Sequence, residues 1–156
     1  DMITGKTAVL IALCAELGAK IAGADADTVD HYASFAAQLG LAFQIKDDIL
    51  GIWGNETLTG KSAATDIATK KKTLPVLYGL TQSDALRTLY AEAAPDDAFV
   101  AEAIHLLDTH GARDYALQKA TAYSQSALDH LQAAHPTGPA GRGLHELADM
   151  LLTRSF

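Results

Sequence analysis

Cysteine is almost missing from this chain. Cys14 is the only one in 156 residues, so no disulfide framework can form within it. A reducing, cytoplasmic setting is expected. Cys14 lies in an apolar helical pattern and reads as a small core residue. Long apolar runs are lacking as well, and none is long enough to span a bilayer. Positive charge is in deficit. Lys and Arg number 12 against 19 Asp and Glu, giving a formal net charge of −7, which argues against nucleic-acid binding. The triplet Lys70-Lys71-Lys72 is too short to change that and, taken alone, reads as a solvated run. No segment alternates apolar and polar residues with β-branched enrichment, so no strands are expected.

Several familiar catalytic signatures are also absent. There is no Gly-x-Ser-x-Gly elbow. The six histidines, His31, His105, His110, His130, His135 and His145, form no HExxH pair and read as surface or satisfied core positions. Gly54 to Ser62 resembles a P-loop, but five residues separate Gly54 from Gly60 where the motif needs four. Asp25, Asp27 and Asp30 miss the spacing of a calcium loop, and capping explains them better.

What is present is a helical pattern with a 49% apolar composition, enough for one domain with a real core. Ala, Leu and Ile recur at helical spacing from Lys6 to Ala22, and Gly23 ends the run. Asp25-Ala26-Asp27-Thr28 offers an N-cap to a long helix from about Val29 to Ile52. Residues 54–70 have no period and read as a polar loop with room for one helical turn. Pro75 suits the first turn of the helix that resumes at Thr73. Ser83 caps the next, Asp84 to Ala93. Pro95-Asp96 opens another that Gly111 closes, and one more runs from Arg113 to about Ala134. His135-Pro136-Thr137-Gly138-Pro139 reads as a break before a last helix, Leu144 to Leu152. The expected class is all-α, a single helical segment over residues 1–156. The first residue, Asp1, is not Met and enters a helix-like run almost at once, so a longer parent chain is expected.

The chemistry concentrates around Asp47 and Asp48, whose side chains diverge by about 100° on a helix. Gln44 precedes them by three and four residues and shares their side. Gly51 sits one turn beyond Asp47, where a third carboxylate would meet the same ion. The helix is otherwise apolar, and an unpaired charge facing a core is costly, so at least one Asp faces a cavity or a partner. For the pair alone, a solvent-facing acidic patch remains open. Lys61, Asp66 and Lys71 follow in the polar loop, and Lys6-Thr7 adds another cation and a hydroxyl. Paired carboxylates collect hard divalent cations, and lysines hold phosphate as point charges. The combination points to a magnesium–diphosphate site.

The run FQIKDDILGIWG…TGKSAATDIATKKKTLPVLYGL resembles the second aspartate-rich region of the trans-type isoprenyl diphosphate synthases, such as farnesyl and geranylgeranyl diphosphate synthases. GKTAVLIALCAELGAKIAGA resembles the helix before it. The likeness is good over residues 1–82; the remainder matches as a helical C-terminal portion. The resemblance implies the C-terminal half of the isoprenoid synthase bundle, with the N-terminal half absent. It also implies Mg²⁺ as cofactor, and an allylic prenyl diphosphate and isopentenyl diphosphate as substrates, joined through an allylic cation. By the same resemblance Asp47 and Asp48 hold metal. Lys6, Gln44, Lys61 and Lys71 contact the diphosphate, Thr7 stands beside the departing group, and Asp66 supports them. The catalytic set would be Lys6, Thr7, Gln44 and Lys61.

Two departures matter. Gly51 replaces the third motif carboxylate, so one ion is expected to bind more weakly. The first aspartate-rich motif is missing, and Asp96-Asp97 has the wrong setting to replace it, so the chain alone is expected to be catalytically incomplete. A half-bundle would expose an apolar face and seek a second copy or the missing half. The alternatives are a class I terpene synthase-like protein that ionises a prenyl diphosphate without condensation, and a non-catalytic helical partner subunit.

Overall fold

Three helix starts in this chain are set by short side chains that accept from first-turn amides. Asp25 Oδ1 accepts from Thr28 N at 2.8 Å, Ser83 Oγ from Leu86 N at 3.2 Å, and Asp96 Oδ1 from Phe99 N at 2.8 Å. Each satisfies a donor that has no partner within its own helix. The accepted bonds at Thr28 hold the Asp25 carboxyl below its ordinary pKa. These are the caps the local sequence predicts.

The computed structural model describes residues 8–54 and 64–152. Lys6, Thr7 and Lys61 therefore lie outside the described residues. The helices are α1 (Val9–Ile21), α2 (Ala26–Trp53), α3 (Thr65–Ala68), α4 (Leu74–Gln82), α5 (Asp84–Glu92), α6 (Asp97–Thr109), α7 (Ala112–Ala133) and α8 (Gly138–Leu152). No strand occurs among the described residues, so the fold is all-α as expected. None of their helices is long and apolar enough to cross a membrane. α1 closes at Gly23, whose φ is +77°. Gly23 N donates to Lys20 O at 3.0 Å and Ala24 N to Ala19 O at 3.1 Å, the paired reversal that a left-handed residue permits.

The chain forms two compact units. One takes the residues up to Gln44 and those from Ala120 on; the other takes residues 45–119. In the first unit, Phe35, Leu39, Ala42, Ala127, Leu131 and Ala148 make the core. Ile11 and Ala15 of α1 pack against it. The opposite face of α1 is open: Val9, Leu10, Leu13, Leu17 and Ile21 are all exposed. Cys14 is exposed with them, which corrects its reading as a core residue. α1 is apolar nearly all round (VLIALCAELGAKI), so its composition does not say which face turns inward.

In the second unit α6 packs against α3, α4 and α5. Ile52, Ile67, Val76, Leu86, Phe99 and Leu107 form its core. Each such side chain contributes about 1.5–3 kcal/mol by leaving water. A β-carbon at Gly79 would meet Leu107 Cδ2 at 2.5 Å and Leu86 Cδ2 at 2.9 Å, so a larger residue there would force those buried leucines to shift. At the end of α2, Trp53 Nε1 donates to Asp108 Oδ1 at 2.9 Å.

The final helix begins earlier than the sequence suggests, at Gly138 rather than Leu144. Pro139 does not break it. A proline in the first turn lacks an amide that would have no helical partner anyway.

Candidate functional site

The end of α2 carries Asp47 and Asp48 into the second unit, and the chain returns to them through α3. Lys70 has φ +51°, a left-handed turn that stops α3. Lys71 N donates to Asp66 O at 2.9 Å and Thr73 N to Lys71 O at 3.0 Å, folding the backbone tightly around Lys71. Lys71 Nζ then reaches Asp66 Oδ2 at 2.8 Å and Asp48 Oδ1 at 3.3 Å. Asp48 Oδ2 accepts from Leu74 N at 3.3 Å, at the first turn of α4, where the helix dipole favours a negative charge.

The two neighbouring acids differ. Asp48 is only 2% exposed, with both oxygens committed to protein donors. Asp47 is half-buried, and its carboxylate has no hydrogen-bond partner among the described residues. Partial burial pulls the Lys71 ammonium down. The hydrogen bond to Asp66 and the charges of Asp48 and Asp66 outweigh that, so its pKa stands above the ordinary lysine value.

Lys70 corrects the reading of the lysine triplet as a solvated run. Its ammonium donates to Tyr90 O at 2.9 Å and Ala93 O at 2.7 Å, and lies 5.0 Å from the centre of the Phe99 ring. It thus satisfies carbonyls at the C-terminal end of α5. Lys72 alone fits the solvated reading. Tyr90 stacks at a tilt on Phe99, and its hydroxyl is buried without a partner among the described residues. Burial, and then the Asp66 charge, push its pKa up to about 12.

The structure therefore brings Asp48, Asp66 and Lys71 together, with Asp47 beside Asp48 on the same helix. Gln44 lies one turn earlier, within the first unit's share of α2. No group of three His, Cys, Asp or Glu side chains converges among the described residues. The donor set still suits Mg²⁺, which is held by one or two carboxylates together with water and phosphate oxygens.

Sequence reasoning missed a contact in the first unit, where His31 Nδ1 lies 3.1 Å from His130 Nδ1. The two residues are 99 apart in the chain, and no local spacing signals their meeting.

Residues 1–107 match the polyprenyl synthetase family. The chain is 36% identical over 163 residues to the (2E,6E)-farnesyl diphosphate synthase of Mycobacterium tuberculosis, covering 98% of this chain and 45% of that one. The crystal structure of geranylgeranyl pyrophosphate synthetase from Pyrococcus horikoshii superposes with a TM-score of 0.85 at 32% identity, over 99% of this chain and 48% of that one. The geranylgeranyl pyrophosphate synthase of Corynebacterium glutamicum, complexed with calcium and isoprenyl diphosphate, gives 0.81 at 36% identity, over 97% and 48%. The chain spans about half the length of the curated relatives it matches. On these matches and this all-helical fold, the chain belongs to the polyprenyl synthetase family.

Proposed function

We propose that the chain is the C-terminal half of an isoprenyl diphosphate synthase and supplies its second aspartate-rich motif. The observation that carries this is the meeting of Asp48, Asp66 and Lys71, all within 3.3 Å contacts, beside a part-exposed Asp47 in a chain of this family. The whole enzyme would condense an allylic prenyl diphosphate with isopentenyl diphosphate through an allylic cation.

When bound, Mg²⁺ would screen the diphosphate and make it a better leaving group. Asp47 would hold the ion. Asp48 adds its charge from beneath and holds Lys71 and the start of α4. The Lys71 ammonium stays protonated and offers a fixed positive charge where charge grows on the departing oxygens. Lys6, Thr7, Gln44 and Lys61 keep the diphosphate-facing roles that the resemblance gives them. Catalysis needs the first motif, so this chain works with the missing half, and a homodimer is the assembly proposed. The exposed apolar face of α1 favours such a partner. The lone exposed cysteine accords with a reducing, cytoplasmic setting.

Calorimetric titration with inorganic pyrophosphate tests the reading. Binding is expected with Mg²⁺ and not without it, and Asp47→Asn removes it. Pyrophosphate binding that ignores Mg²⁺, or no binding in either case, would overturn the proposal.

A further inference from the structure

The first unit holds a pair of metal-ligating side chains that the diphosphate chemistry does not use. His31 of α2 and His130 of α7 bring their Nδ1 atoms within 3.1 Å, with ring centres 5.4 Å apart and the rings tilted by 47°. Both residues lie inside that unit. At this distance one Nδ1 carries a proton and the other accepts it. The His31 side chain is 29% exposed, so the pair is not sealed from water.

The same separation suits a shared metal ion. Two nitrogens bound at about 2.0–2.1 Å stand about 2.9 Å apart at a right angle and about 3.4 Å apart at a tetrahedral angle. The observed 3.1 Å falls between these. Both lone pairs become free when the donor ring moves its proton from Nδ1 to Nε2, with no net proton released. On His31 that Nε2 faces Asp27, whose Oδ2 is 4.0 Å away, one turn earlier on α2. A carboxylate on the far nitrogen of a ligating imidazole fixes its tautomer and orientation. Imidazole nitrogens select late first-row divalent ions such as nickel, copper or zinc, whereas magnesium prefers oxygen.

We infer that His31 and His130 form a two-imidazole site for a late first-row divalent ion, which staples α2 to α7. No third His, Cys, Asp or Glu joins them among the described residues, so water completes the ion's shell. The ligands are 99 residues apart in the chain, so the site exists only when the unit is folded, and an ion bound there stabilises it.

The experiment compares wild type with His31→Gln, His130→Gln and a control, His105→Gln, at an exposed position of α6. Nickel(II) alone is the probe, with excess Mg²⁺ present to occupy carboxylates. Affinity is read by calorimetry, ligation by paramagnetic broadening of the histidine ring signals in NMR, and stability by the urea midpoint with and without nickel. Nickel is expected to broaden His31 and His130 before the other histidines and to raise the midpoint of wild type and of the control. Either glutamine at the pair should abolish the midpoint rise and weaken nickel more than roughly tenfold, since even outer partners of metal ligands are worth that much. The inference is overturned if nickel leaves the His31 and His130 signals sharp, or broadens them no more than His105. It is equally overturned if the glutamine variants keep wild-type affinity and the midpoint rise; the contact is then a hydrogen bond between rings and nothing more. The wild-type ring signals give the answer even where a variant fails to fold.

Discussion

Lys71 and Asp48 join a surface group to a buried one: the lysine side chain is 42% exposed, the carboxylate 2%, and 3.3 Å separates their atoms. The neighbouring acids should therefore fail in different ways. Asp48→Asn takes the acceptor charge from Leu74 N and leaves Lys71 with Asp66 alone. Breaking a fully buried pair costs about 3–5 kcal/mol, and the exposed lysine lowers this to roughly 2 kcal/mol. Asp47→Asn should stay within about 0.5 kcal/mol of wild type while losing magnesium pyrophosphate. Urea unfolding beside calorimetry separates the two effects, and equal stability losses would contradict the assignment.

The lysine triplet should divide under alanine substitution. Lys70→Ala loses two carbonyl contacts and the Phe99 ring, an expected cost of about 2 kcal/mol. Lys72→Ala should cost less than about 0.5 kcal/mol. Thermal denaturation of the two variants is the check.

Tyr90→Phe removes a buried hydroxyl that has no partner among the described residues. At neutral pH the variant should match or exceed wild-type stability, by no more than about 1 kcal/mol. Its advantage should then grow with pH. The folded pKa is raised from 10.0 to about 12, so the unfolded chain ionises first and wild type loses stability as pH rises through that window. Denaturant midpoints at pH 8 and pH 11 test the sign; an unchanged gap counts against it.

Gly79→Ala should destabilise the second unit by about 1–3 kcal/mol, because the added methyl meets Leu107 and Leu86. Exposed helical glycines normally gain from this exchange, so stabilisation would refute the packing.

Helix boundaries were largely readable because caps are local. Asp25, Ser83 and Asp96 each bond an amide three residues on, a distance any sequence window covers. The acidic cluster was also legible, since Asp47, Asp48, Asp66 and Lys71 fall within one stretch and match a long motif. Features decided by packing were hidden. Cys14 sits on a helix with apolar residues all round, and Lys70 bonds carbonyls of α5. Pro139 misled because its effect depends on whether it falls in a first turn or an interior one.

The short reach from Asp48 to Lys71 bears on folding order. Those residues are 23 apart in the chain, whereas His31 and His130, at a similar atomic separation, are 99 apart. Closing the longer loop costs about 1.3 kcal/mol more in chain entropy. The charged centre is thus expected to close earlier in collapse, within its own unit, than the histidine contact between distant helices.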